Sequence, residues 1–268
     1  METFFAPPEY HTPADVKPHW KFRFLPGTTF LLLSDLVFGL MLKTRRKALN
    51  NQLTSADLSS ICTQFAHQCE RTGVKIHITG LDNIATDASP CVFVGNHMST
   101  LETFLLPGIV HPFKPVTFVV KESILKQRLF GPIMKSMDPI PVNRRDPKAD
   151  LKKVLDEGIK TLKQGTSLII FPQTTRTAVF DPSLFNTLGE KLAKRAGVPI
   201  VPVAVKTDFW SPGKVFKELG TIAPEKDIHI SFGKPMDSAI NPKQLHQDII
   251  DTIVEKLTRW GVTVVSTP

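Results

Sequence analysis

Cysteine is scarce in this 268-residue chain, occurring only as Cys62, Cys69 and Cys91. An odd number without a C-x-x-C pair suggests neither a disulfide framework nor a zinc site. Cys62 and Cys69 fall on the apolar face of one helical pattern and read as small buried hydrophobes, which suits a reducing compartment. Tyrosine is scarcer still, one residue against eighteen phenylalanines, an imbalance for which we have no physical account. The first 20 residues are polar and contain proline. They lack a basic start leading into an apolar core, so they do not read as a secretory signal. No repeat, low-complexity tract or linker divides the chain after residue 55. Acidic charge is outweighed: 25 Asp and Glu stand against 33 Lys and Arg, a net charge of +8. That balance favours phosphate groups, an anionic membrane surface, an acidic carrier protein or nucleic acid. No recognition-helix or RNP-type pattern is present and few aromatics interleave with the basic clusters, so nucleic acid is not an expected partner.

What the chain does have is a long apolar stretch near its start, Phe24 to Leu42, followed at once by Lys43-Thr44-Arg45-Arg46-Lys47. The stretch is marginal for a full span, which needs ~20 residues. Asp35 interrupts it, and a central Asp costs roughly 2.5–3.5 kcal/mol on insertion. We read it as a membrane-associating helix lying in or shallowly below the interface, with a core helix as the alternative. The cationic cluster suits an anionic leaflet and keeps the following domain on the cytoplasmic side. The expected division is therefore 1–55, an N-terminal membrane-associating segment, and 56–268, an α/β domain.

Within 56–268, Ala56 to Arg71 carries a helical stripe of Leu58, Ile61, Cys62, Phe65, Ala66 and Cys69. Val74 to Thr79 alternates like a strand, and further strand candidates recur at 91–95, 116–120, 139–143, 167–171, 200–205 and 228–232. Helical patterns lie at Lys148 to Lys163, Pro182 to Ala196 and Leu245 to Trp260. Strands alternating with helices indicate an α/β fold. The uniformly apolar candidates at 91–95, 167–171 and 200–205 imply a largely parallel sheet covered on both faces.

Three stretches carry candidate chemistry. Asn96-His97-Met98-Ser99-Thr100-Leu101-Glu102 follows the strand at 91–95 and opens a helix. A histidine at a strand end with a nearby carboxylate is where an α/β enzyme places a general base and the group that orients it. Ser99-x-x-Glu102 also reads as a capping box, which alone explains both residues. On a continuous helix His97 and Glu102 lie about 140° apart at ~100° per residue. They meet only if His97 sits in the preceding turn, where the capping box puts it. Ser99 as a nucleophile lacks the G-x-S-x-G elbow. The second stretch, Phe171-Pro172-Gln173-Thr174-Thr175-Arg176, follows another strand, and Arg176 beside hydroxyl side chains makes a phosphate anchor. In the third, Lys121 follows the strand at 116–120 and Arg144 the one at 139–143; the pair reads as an anion site or as two solvated charges.

Together these stretches resemble the glycerolipid acyltransferase family, in particular 1-acylglycerol-3-phosphate acyltransferases. That family carries N-H-x-S-x-x-D, a lysine-initiated block ending I-x-V/I-x-R, F-P-E-G-T-R, and a Val/Ile/Pro strand. Here the counterparts are Asn96 to Glu102, Lys121 to Arg144, Phe171 to Arg176, and Val198-Pro199-Ile200-Val201-Pro202-Val203, in matching order over roughly 75–235. Two positions depart: Glu102 stands for the family's aspartate, and Gln173-Thr174 for its Glu-Gly. The resemblance implies a mixed, largely parallel sheet flanked by helices. It also implies acyl transfer from acyl-CoA or acyl-carrier protein to a lysophospholipid hydroxyl, with no cofactor and no metal. His97 is implied as base and Glu102 as its orienting carboxylate. Asn96, Ser99, Lys121, Arg144, Gln173, Thr174, Thr175 and Arg176 are implied in substrate binding. Backbone N–H groups near Ser99 are the expected oxyanion donors. The amide at Gln173 raises two alternatives: a different lyso-lipid acceptor, or a lipid- or phosphate-binding protein that has lost catalysis.

Overall fold

The computed structural model describes residues 4–24, 27–173, 175–213 and 220–265. Thr174 and residues 25–26 of the apolar stretch lie outside them. Among the described residues one mixed sheet contains β1 (Glu9–His11), β2 (Ile76–Thr79), β3 (Val92–Gly95), β4 (Val116–Lys121), β5 (Ile140–Val142), β6 (Ser167–Ile170), β7 (Ile200–Lys206) and β8 (Ile228–Phe232). Their lateral order is β1-β2-β8-β7-β3-β6-β4-β5. The five strands from β7 to β5 are mutually parallel. β2 and β8 form a second parallel pair that meets β7 antiparallel, and β1 caps the edge antiparallel to β2. The sheet is thus mixed and largely parallel, as the sequence implies. β1 was not anticipated, since three residues are too few to show a period.

Helices cover both faces: α1 (Trp20–Phe24), α2 (Thr28–Ser34), a π-helical stretch (Asp35–Met41), α3 (Leu42–Leu49), α4 (Ser55–Glu70), α5 (Asp82–Ala85), α6 (Leu101–Val110), α7 (Glu122–Leu125), α8 (Gly131–Lys135), α9 (Pro147–Lys163), α10 (Leu188–Ala196) and α11 (Pro242–Arg259). Strand alternation divides β3 between two cores. Phe93 packs with Leu101, Leu105 and Phe65 of α6 and α4, while Val92 and Val94 pack with Val154, Leu162 and Leu192 of α9 and α10. α4 and α6 approach so closely that a Cβ on Gly108 would lie 2.0 Å from the Cβ of Cys62. All three cysteines are free and buried, and burial pushes the Cys62 thiol up to about 12. The helix expected over 182–196 is interrupted. Pro182–Leu184 forms one 3-10 turn, Phe185 is extended, and α10 begins only at Leu188. Asn186 explains the break: its side chain accepts from the Leu188 N–H and donates to the Pro172 carbonyl, tying this loop to the one after β6.

The described residues of the apolar stretch near the start fall at the end of α1, in α2, in the π-helical stretch and at the beginning of α3. Leu32, Leu36, Leu40, Thr44 and Ala48, spaced by four, are buried, and the first three join the α4–α6 core. Phe30, Phe38, Leu42 and Leu49 face outward, Phe30 at 75% and Phe38 at 68% exposure. Asp35 is neutralised by Lys21. No helix among the described residues is long and apolar enough to cross a membrane.

Candidate active site

The carboxyl ends of the parallel strands carry every candidate site residue that the structure describes. In open α/β sheets ligands gather at this edge. β3 and β7 come so close there that a Cβ on Gly95 would sit 2.7 Å from the Val203 carbonyl oxygen, so the strand delivering His97 ends on the one residue without a side chain. Asn96 fixes the same junction: its amide donates to the Val205 carbonyl and accepts the Val205 N–H, both at 2.8 Å. Both ends of the Asn96 amide are therefore engaged across the strands.

His97 then turns into the edge. Its backbone N–H donates to Gln173 Oε1 at 2.9 Å, and its carbonyl accepts from the Thr177 N–H at 3.0 Å. Its ring stacks on Phe171, centroids 4.3 Å apart and planes 11° from parallel. Nδ1 lies 2.8 Å from Glu102 Oε1. An ionised carboxylate there selects the Nδ1–H tautomer and leaves Nε2 with its lone pair. The His97 side chain is 17% exposed, while that of Glu102 is 0% exposed.

Glu102 receives five donors. Oε1 accepts from His97 Nδ1, the Met98 N–H (2.7 Å) and the Ser99 N–H (2.8 Å). Oε2 accepts from the Ser99 hydroxyl (2.9 Å) and the Thr207 hydroxyl (2.7 Å). Burial raises the Glu102 pKa, but the hydrogen bond and positive charge of His97, then Thr207 and the Ser99 N–H, outweigh it and hold the carboxyl below its ordinary value. The amino end of α6 favours the same charged form.

The capping-box reading holds in part. Glu102 reaches back to the Ser99 N–H, but the Ser99 hydroxyl accepts from Leu101 N–H at 3.0 Å rather than from that of Glu102. Cap and imidazole support are therefore one arrangement. Of the N–H groups expected as oxyanion donors near Ser99, those of Met98 and Ser99 are engaged by Glu102 and that of Leu101 by the Ser99 hydroxyl. The Ser99 hydroxyl is fully buried and engaged on both sides.

The cations are distributed along this edge. Arg176 donates to the Thr100 hydroxyl, which places the guanidinium next to the His97 turn. Thr175 beside it is exposed. Lys121 closes β4 in register with Val142 and is exposed. Arg144 follows β5 with φ of 62°, its N–H held by Asp150 at 2.7 Å. Thr207 escaped sequence reasoning: it contacts Glu102 across 105 positions and belongs to no motif. Gln173, which the resemblance implies in substrate binding, is buried, and its Oε1 accepts from the His97 backbone N–H. A glutamate oxygen can accept the same bond, which is why an amide can stand at this position.

Known proteins resemble this chain in sequence and in fold. The acyltransferase family matches residues 75–206, from β2 to the end of β7. A 1-acyl-sn-glycerol-3-phosphate acyltransferase of Pseudomonas aeruginosa is 36% identical over 151 residues, 56% of this chain and 57% of that protein. One from Borreliella burgdorferi is 28% identical over 188 residues, 69% of this chain and 72% of its own. The chain thus spans little more than half the length of the first relative. The crystal structure of the 1-acyl-sn-glycerophosphate acyltransferase of Thermotoga maritima superimposes with a TM-score of 0.64 over 89% of this chain and 95% of that one, at 18% identity. That likeness is one of fold. Residues 75–206 of this chain match the acyltransferase family.

Proposed function

We propose that the protein transfers a fatty acyl group from acyl-CoA or acyl-carrier protein to the hydroxyl of a lysophospholipid, 1-acyl-sn-glycerol-3-phosphate above others, yielding phosphatidic acid. The His97–Glu102 pair carries this reading: a tautomer-fixed imidazole, largely shielded but still reachable, backed by a buried ionised carboxylate. His97 Nε2 takes the acceptor hydroxyl proton as the oxygen attacks the thioester carbonyl. Glu102 stabilises the imidazolium. When the C–S bond breaks, the imidazolium returns the proton to the departing thiolate. No cofactor takes part in this scheme. Arg176, Arg144 and Lys121 share the edge with His97 and supply charge for the acceptor phosphate or for phosphates of the donor. A narrow apolar cleft lined by Leu40, Phe65, Phe104, Phe130, Met134 and Met137 lies along α6.

The outward face of α2 to α3 docks the protein on an anionic bilayer, catalytic domain on the cytoplasmic side. Phe30, Phe38, Leu42 and Leu49 provide apolar surface, with Lys43 and Arg46 exposed beside them. Co-sedimentation with phosphatidylglycerol vesicles tests this: Phe30→Ser with Phe38→Ser should weaken binding, and unchanged binding refutes the assigned face.

The deciding assay offers the protein, in mixed micelles, both acyl donors and a panel of lyso-lipids, with products read by mass spectrometry. Diacylated product absent with His97→Ala supports the reading. No product from folded protein that still binds vesicles would favour a lipid-binding role.

A further inference from the structure

A second group of imidazoles lies away from the motifs. His11, His77 and His229 stand in one lateral row across β1, β2 and β8, and the register continues to Lys206 of β7. Strand alternation puts them on the sheet face opposite the buried Ile76, Ile78, Ile228 and Ile230. Asp227, just before β8, joins them: its Oδ2 is 3.9 Å from His77 Nε2. The His77 and His229 rings stack at 4.8 Å. One ligand atom from each of His77, Asp227 and His229 lies within 4.8 Å of the other two. Around an ion with bonds of ~2.0–2.1 Å, tetrahedral donors stand ~3.3 Å apart, so the set closes when the His77 and His229 rings rotate out of their stack and aim both lone pairs at one ion.

The surroundings orient these groups as an outer shell does. Asp227 Oδ1 accepts from the Lys75 N–H at 3.2 Å, leaving Oδ2 toward His77. His77 Nδ1 lies 2.8 Å from His11 Nδ1, and His11 Nε2 is 3.4 Å from Glu9 Oε2. With Glu9 facing a proton kept on His11 Nε2, His11 Nδ1 accepts from His77 Nδ1–H, and His77 Nε2 is left as a ligand. His229 is held between His77 and Trp260, whose ring stacks on it at 5.1 Å. The Lys206 ammonium opposes a cation, but Asp208 pairs with it at 2.9 Å and the Asp227 carbonyl accepts from it at 3.2 Å.

We propose that His77, Asp227 and His229 bind a divalent transition metal of the zinc class, with water as fourth ligand, cross-linking β2 to β8. The link is structural rather than catalytic: it braces the outer strands next to β7, whose following residue, Thr207, holds Glu102.

The test is titration of the metal-stripped full-length protein with Co2+, read by its visible d–d absorption, and with Zn2+, read by calorimetry and thermal melting. One equivalent, a tetrahedral cobalt spectrum and a raised Tm are expected. His77→Ala, His229→Ala and Asp227→Asn should each abolish the spectrum, and His11→Ala should weaken binding about 10- to 100-fold as loss of an outer-shell partner does. His111→Ala should change nothing. Absence of saturable one-equivalent binding by the wild type overturns the proposal whatever the variants do. So does binding that survives the His77→Ala/His229→Ala double substitution in protein folded by circular dichroism.

Discussion

Replacing Glu102 by glutamine separates the two tasks assigned to its carboxylate. All five of its partners are donors in the native site. A glutamine must turn its NH2 toward some of them. Toward Oε1 it would meet three N–H groups that cannot reverse. Toward Oε2 it meets the Ser99 and Thr207 hydroxyls, which can rotate to accept. The variant therefore keeps the His97 contact and the tautomer but loses the charge. At an effective dielectric of ~20 a charge pair about 4 Å apart is worth roughly 4 kcal/mol, and a charge-assisted hydrogen bond ~1.5–3 kcal/mol. A loss of ~2–4 kcal/mol of imidazolium stabilisation is a fall in kcat of about 30- to 10³-fold, at 1.36 kcal/mol per decade. Stability should fall too, by roughly 1–3 kcal/mol at neutral pH. Its pH dependence has a definite sign. The Glu102 carboxyl is held below its ordinary 4.5, so its contribution is present above that value and lost as pH falls through the lower folded value. Melting curves of wild type and Glu102→Gln should therefore converge on acidification below pH 4.5. A Tm gap that stays constant with pH, or a kcat within about 3-fold of wild type against the decades expected, would refute the reasoning.

Three further outcomes are expected. His97→Ala should lower turnover at least ~10²-fold in the acyl-transfer assay, the low end for losing a general base; a smaller loss removes His97 from that role. Gln173→Met leaves the His97 N–H without its acceptor and should lower kcat, whereas Gln173→Glu should keep both activity and acceptor preference; a changed preference would mean that position 173 does read the acceptor. Gly108→Ala forces α4 and α6 apart, because the new carbon would lie 2.0 Å from Cys62 Cβ. Overpacking of ~1–3 kcal/mol or more against ~1 kcal/mol of helix propensity gained should lower the denaturation midpoint, and a stabilised variant would contradict the packing.

Much of this architecture is legible in the sequence because it is local. Two-residue alternation and uninterrupted apolar runs mark β2 to β8, and 3.6-residue stripes mark α4, α9 and α11, within a residue or a few of their observed ends. His97, Lys121, Arg144 and Arg176 are placed at strand ends by counting alone. A capping pattern foretells that Glu102 meets the turn that holds His97. Periodicity is silent about which strand lies beside which. That β8 inserts between β2 and β7 was decided by packing, and with it the meeting of His77, His229 and Asp227 across some 150 positions. The same holds for Thr207 on Glu102 and Gln173 on the His97 backbone. The sequence by itself determined the elements and the chemistry at their ends, because propensity and pattern act over a few residues. Only the tertiary structure decided which donors satisfy the buried Glu102, because those partners are brought together by the global burial of the sheet rather than by anything adjacent in the chain.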